Sequence, residues 1–242
     1  MDILLSISNA FATAALRFGH TLINPKLERL NKHFNSIKEG PLPLHEAFFA
    51  PERLLSEGGV DPILRGLFAT QLKQPMSEQL LNHELTERLF HHAHNVSLDL
   101  AAINIQRGRD HGLPGYLEYR KFCGLNVPSN WEQLSFDIPN PEVLLRLKKL
   151  YGHPGNIDLW VGGIVEKRLP EALVGPTFSC LIGDQFKRLR EGDPYKKCEQ
   201  LPKLNLRMWM SCCDESCSFK STQNNNEEEI KRRKKRSKHL YN

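Results

Sequence analysis

The chain has 242 residues, a net charge of +5, 40% hydrophobic and 25% charged residues, and six Cys. That composition excludes a collagenous, mucin-like, disulfide-packed miniature or wholly disordered protein and leaves enough apolar material for one sizeable core. The last sixteen residues, EEEIKRRKKRSKHLYN, hold seven Lys/Arg and three Glu and so carry +4 of the +5. The rest is nearly neutral, and the basic balance describes a terminus that can touch something acidic.

No stretch approaches the roughly 20 apolar residues that a membrane-spanning helix needs. At the N-terminus, MDILLSISNAFATAAL has Asp2 where a signal peptide carries a basic residue, and Ser6 and Ser8 break its apolar run. The segment is expected to begin a helix. Over residues 9–30, Phe11, Ala14, Ala15, Phe18 and Leu22 recur at helical intervals, with Asn24-Pro25 as punctuation. The Pro and Gly residues between Pro41 and Pro62 predict a loop-rich stretch. Helical spacing returns from Ser77 to about Gly108 through Leu81, Leu85, Leu89, Val96 and Leu100, and Gly112-Leu113-Pro114-Gly115 closes it. Two further helices are predicted, over Pro141–Leu150 and over Phe178–Arg190. No long period-2 run occurs, so the fold is read as mainly α. Beyond Ser218 apolar residues almost vanish, which predicts a disordered charged tail over 218–242 behind a domain over 1–217.

Two segments pair functional side chains three residues apart, Arg17 with His20 and Asn104 with Arg107, each on one helix face. A His whose second ring nitrogen is held by an amide or carboxylate suits a metal ligand, and guanidiniums suit the carboxylates of a cofactor. A lone helical His is more often structural.

Several motifs in order carry a resemblance that spans about residues 8–217: NAFATAALRFGHTLINP, LPLHEAFFAP, EGGVDPILRGL, LTERLF, LDLAAINIQRGRDHGLPGYLEYRKFCGL and QFKRLREGD. Together they resemble the animal haem peroxidase family, nearest to its peroxidasin branch. The INIQRGRDHG motif is the most specific of them. The resemblance implies a helical peroxidase domain binding haem b, with His20 as the axial iron ligand. It implies that Asn104 accepts a hydrogen bond from that imidazole, and that Arg17 and Arg107 lie near the haem propionates. Hydrogen peroxide and a halide or organic donor follow as substrates, and an extracellular location follows from the same likeness, with a cytoplasmic one as the alternative for a chain whose N-terminus is a poor signal peptide.

The family's distal His, Gln and Arg, its calcium site and the acidic residues that ester-link the haem correspond to sequence N-terminal to the His20 helix. The chain is therefore expected to hold the C-terminal half of a peroxidase domain, without the calcium site, and to be weak or inactive as an enzyme. The resemblance also implies a disulfide between Cys123 and Cys180. Cys198 looks like half of a second bridge whose partner is missing, in a connection shortened after Asp193. Cys212, Cys213 and Cys217 have poor zinc spacing and are expected to pair oxidatively, within the chain or in a disulfide-linked oligomer.

Other patterns are weaker. His83-Glu84 begins like a zinc-protease motif, but position 87 is Glu. His91, His92 and His94 form a cluster read as a solvated face, with weak metal binding as the alternative. Asn95-Val96-Ser97 is a glycosylation sequon. A second function of another class rests on Lys231, Arg232, Arg233, Lys234, Lys235 and Arg236, whose charges could hold nucleic acid electrostatically as part of an RNA-binding or ribonuclease-like role; a solvated tail or nuclear-localisation-like patch is the plainer reading of the same run.

Overall fold

A computed structural model describes residues 6–93 and 96–192, all within one compact unit, Met1–Asp193. As the periodicity predicts, the architecture is helical. A π-helical turn, Phe11–Ala15, runs directly into a 3-10 segment, Leu16–Leu22; together they are called the leading helix. The helices α1 (Leu44–Ala47), α2 (Glu52–Ser56), α3 (Asp61–Ala69), α4 (His83–Thr86), α5 (Leu100–Asp110) and α6 (Tyr116–Phe122) follow. After them come α7 (Trp131–Leu134), α8 (Pro141–Tyr151), a short 3-10 turn (Pro154–Asn156), α9 (Leu159–Val165) and α10 (Pro176–Glu191). One antiparallel pair, β1 (Lys26–Leu27) with β2 (Leu42–Pro43), is the only sheet among the described residues.

Two expectations are corrected. The helix predicted over 9–30 stops at Leu22, because Pro25 disfavours helical backbone in the residue before it and the chain turns out into β1. The helix predicted over 77–108 is two helices. Phe90 adopts a φ of 59°, and Leu98 N–H donates to Leu89 O at 2.9 Å, so the residues after α4 fold into a turn. Asp99 then caps α5 by accepting from Ala101 N–H at 2.8 Å. The predicted helices near 141 and 178 form as expected. Asn140 accepts from two amides at the start of α8, and Gly152, at a φ of 70°, ends it.

Two apolar clusters form the core, and α9 belongs to both sides. One packs Ala14, Ala15, Leu85, Leu89, Leu159, Trp160, Phe178 and Leu181; the other packs Tyr116, Leu134, Ile138, Leu147 and Ile157. Gly162 and Gly163 make this junction. A Cβ on Gly162 would come within 2.3 Å of the Tyr116 ring, and one on Gly163 within 2.2 Å of the Phe178 ring. Only glycines let both aromatics reach the α9 backbone. Between the clusters lies a buried charge network: Glu166 accepts from Tyr116 Oη, Arg120 Nη1, Thr177 N and Thr177 Oγ1, and Arg120 Nη2 reaches Asp137 at 2.8 Å.

Candidate functional site

The site is made where the leading helix lies against α5 and α9. Its 3-10 winding has three residues per turn, so Arg17 and His20 stand directly in line, more closely aligned than on an α-helix. On α5 the apolar approach LDLAAI carries Asn104 into the core, where it is fully buried. The structure brings together three of the four predicted cofactor-site residues in direct contact. Arg17 Nη1 donates to Asn104 Oδ1 at 2.9 Å, and Asn104 Nδ2 stands 3.0 Å from His20 Nδ1. Trp160 Nε1 donates to the Arg17 carbonyl at 3.3 Å, which ties the leading helix to α9.

The polarity differs from the expected one. A guanidinium only donates, so it takes the amide oxygen of Asn104 and leaves the amide nitrogen facing the ring. Turning the amide half a turn would present its oxygen to a His20 Nδ1–H, at the cost of the Arg17 bond. Partial burial and the neighbouring Arg17 charge lower the pKa of His20, against a smaller opposing effect of the Asn104 contact. The net effect favours the neutral ring, the form that ligation requires. Arg17 itself is held below its ordinary value by burial and by the charge of Arg107.

Arg107 is exposed, one turn along α5 from Asn104. Among the described residues neither Arg17 nor Arg107 has a carboxylate partner. The other charged residues of the motif are occupied locally: Arg109 grips Asp158 through Nε at 3.0 Å and Nη2 at 2.8 Å, and Asp110 accepts from Gln106 at 2.7 Å. His111 N–H caps α5 by donating to Arg107 O at 3.1 Å.

The disulfide implied by the resemblance is present, joining Cys123 after α6 to Cys180 in α10 across 57 residues of sequence. Cys198, Cys212, Cys213 and Cys217, the boundary at 217, the tail residues Lys231–Arg236, and His94 and Asn95 lie outside the described residues. Sequence reading missed Trp160, the Gly162-Gly163 pair and the Glu166 network. The adjacent glycines in WVGGIV were the available signal, since glycines inside an apolar helical run mark close approach.

Comparison with known proteins gives the family. The sequence matches the animal haem peroxidase family model over residues 2–229, and the chain belongs to that family. Among curated relatives it is 50% identical to peroxidasin homolog pxn-2 of Caenorhabditis elegans, over 91% of this chain and 20% of that protein. It is 58% identical to peroxidasin of Drosophila melanogaster, over 78% of this chain and 12% of that protein, and 45% identical to the human peroxidasin homolog, over 86% and 17%. The chain thus spans about a fifth or less of these relatives. Among solved structures, peroxidase A of Dictyostelium discoideum superposes with a TM-score of 0.70 at 32% identity, covering 94% of this chain and 40% of that one. An Oryza sativa fatty acid alpha-dioxygenase, at 19% identity and a TM-score of 0.62 over 78% and 32%, shares the fold alone.

The donor set fits the haem that the family implies. His20 has no hydrogen bond at Nε2 among the described residues; with the Asn104 amide nitrogen at Nδ1 the ring proton sits on Nε2, and turning the amide moves it to Nδ1 and leaves Nε2 for the iron. A Cβ built on the adjacent Gly19 meets nothing within 4 Å, so the backbone beside the ligand is open to a flat macrocycle. The uncompensated Arg17 and Arg107 supply positive charge for carboxylates.

Proposed function

We propose that this chain supplies the haem-holding side of a peroxidasin-type oxidoreductase that uses hydrogen peroxide to oxidise a halide or organic donor. The observation that carries this reading is the linked set Arg17, Asn104 and His20, drawn from two helices whose residues lie 84 and 87 positions apart. Bound haem supplies a redox-active iron that accepts oxidising equivalents from peroxide and passes them to the donor. His20 would hold the iron, and Asn104 would fix the ring plane and its tautomer. Arg17 and Arg107 bind the propionates. When a carboxylate draws Arg17 away, the Asn104 oxygen is released to accept from the ring, so propionate binding and ligand orientation are linked through one amide.

Cleaving peroxide also requires a proton acceptor and donor opposite the ligand. The resemblance assigns those groups to the part of the family sequence that precedes the leading helix. A Cys123–Cys180 bridge favours an oxidising compartment, which supports an extracellular location.

Haem titration of the purified chain tests the reading. A Soret shift saturating at one equivalent is expected, lost in His20→Ala and restored by added imidazole. No shift, or a shift unchanged in His20→Ala, overturns it.

A further inference from the structure

The fold brings His45 beside His91 and His92 of the cluster noted in the sequence. His45, on α1, lies against the turn that follows α4, with its ring centroid 6.0 Å from that of His92 and 6.4 Å from that of His91; the latter two are 5.4 Å apart. Glu84 grips His45 twice, accepting from its backbone N–H at 3.0 Å and from its ring Nδ1. A carboxylate only accepts, so Nδ1 carries the proton and the Nε2 lone pair is free. On that free side, Glu46 Oε1 stands 3.9 Å from Nε2. His91 repeats the pattern, with Nδ1 bonded to Ser97 Oγ at 2.9 Å and Nε2 left over. Both rings are thus anchored at one nitrogen and free at the other, the arrangement in which a carboxylate or hydroxyl orients a metal-binding imidazole.

We propose that His45, His91 and His92 bind one divalent cation of the zinc or copper(II) class, with Glu46 or water as fourth donor. Two imidazoles on one tetrahedral ion at Zn–N distances of 2.0–2.1 Å have ring centroids about 5 Å apart. The three separations here exceed that by only about an ångström, which rotation of the exposed His91 and His92 side chains supplies. As they stand, no three His, Cys, Asp or Glu among the described residues are placed to hold a metal ion, so the site requires His91 and His92 to swing their exposed rings toward the His45 Nε2. It would staple α1 to the turn after α4. His20 is on a different element and takes no part.

Calorimetric titration of the metal-stripped, untagged full chain with zinc chloride tests this. Binding that saturates at one equivalent is expected, abolished in His91→Ala and His92→Ala and unchanged in His20→Ala. Glu84→Gln should weaken it roughly tenfold, as loss of a ligand-orienting partner does. Histidine ring 15N spectra should show His45 ligating through Nε2 with Nδ1 still protonated, and exchange of the Leu98 amide should slow when zinc is added. His91 and His92 are exposed, so their variants keep the fold. Absence of a one-equivalent step, or a step that persists in His92→Ala or disappears only in His20→Ala, overturns the proposal.

Discussion

Asn104 and Glu166 are both buried polar residues, and they do opposite things. Asn104 shares its two ends between Arg17 and His20 and so couples the leading helix to α5. Glu166 receives four donors; its work is to neutralise Arg120 and hold the Tyr116 hydroxyl, whose pKa is raised by burial and by the same carboxylate. Because Glu166 and Arg120 are 1% and 3% exposed at their side chains, Glu166→Gln leaves a buried guanidinium short of countercharge and is expected to cost about 3–5 kcal/mol, read from the urea midpoint. Glu57 gives a pH signature. The hydrogen bond from Arg29 holds its carboxyl below the usual carboxylate range, with Arg53 adding to the effect and desolvation opposing it. A lowered folded-state value contributes stability that is full above the unfolded pKa, near 4.3, and is lost as pH falls through the folded one. Glu57→Gln should therefore flatten the acid side of the stability curve below about pH 5, measured as urea midpoints across pH 2–7, with the gap between the proteins closing at the acid end.

Among the elements, α9 is the one on which both core clusters depend. Gly163→Ala places a methyl group into the Phe178 ring and is expected to destabilise by about 1–3 kcal/mol, the cost of overpacking, as differential scanning calorimetry would show. The Cys123–Cys180 bridge fastens α6 to α10, and closing a loop of 57 residues is worth roughly 2–4 kcal/mol; Cys180→Ala should lose that amount in chemical unfolding under non-reducing conditions. How far elements were legible varied with their local signals. The helices near Pro141 and Pro176 carry a capping residue or proline at one end and glycine at the other, and periodicity found them. The leading helix and α5 were found as helices because their apolar faces repeat, but the break between α4 and α5 was hidden. Leu85, Leu89 and Val96 keep helical spacing through a turn made by a left-handed Phe90 and a backbone bridge from Leu98 to Leu89, neither of which has a sequence marker. The site was legible in its residues through the resemblance and not in its polarity, since which end of Asn104 faces His20 is decided by an arginine 87 positions away.

For the whole molecule, the charge arithmetic separates two regions. The haem motifs sit in the nearly neutral body, while +4 belongs to residues 227–242, almost wholly past the family match ending at 229. Deleting 227–242 is expected to leave haem binding unchanged, checked by Soret titration of the shortened chain. The winding of the leading helix bears on the body as a whole. An α-helix advances 100° per residue and a 3-10 helix 120°, so rewinding the segment from Leu16 as an α-helix would swing His20 by about 80° and draw it back by about 2 Å. The imidazole then leaves Asn104, and the line of Arg17 with His20 is lost. The 3-10 part of the leading helix is in this sense an overwound screw, tied to its neighbours by the Asn104 and Trp160 contacts, and loosening either grip is expected to aim His20 elsewhere without changing His20 itself.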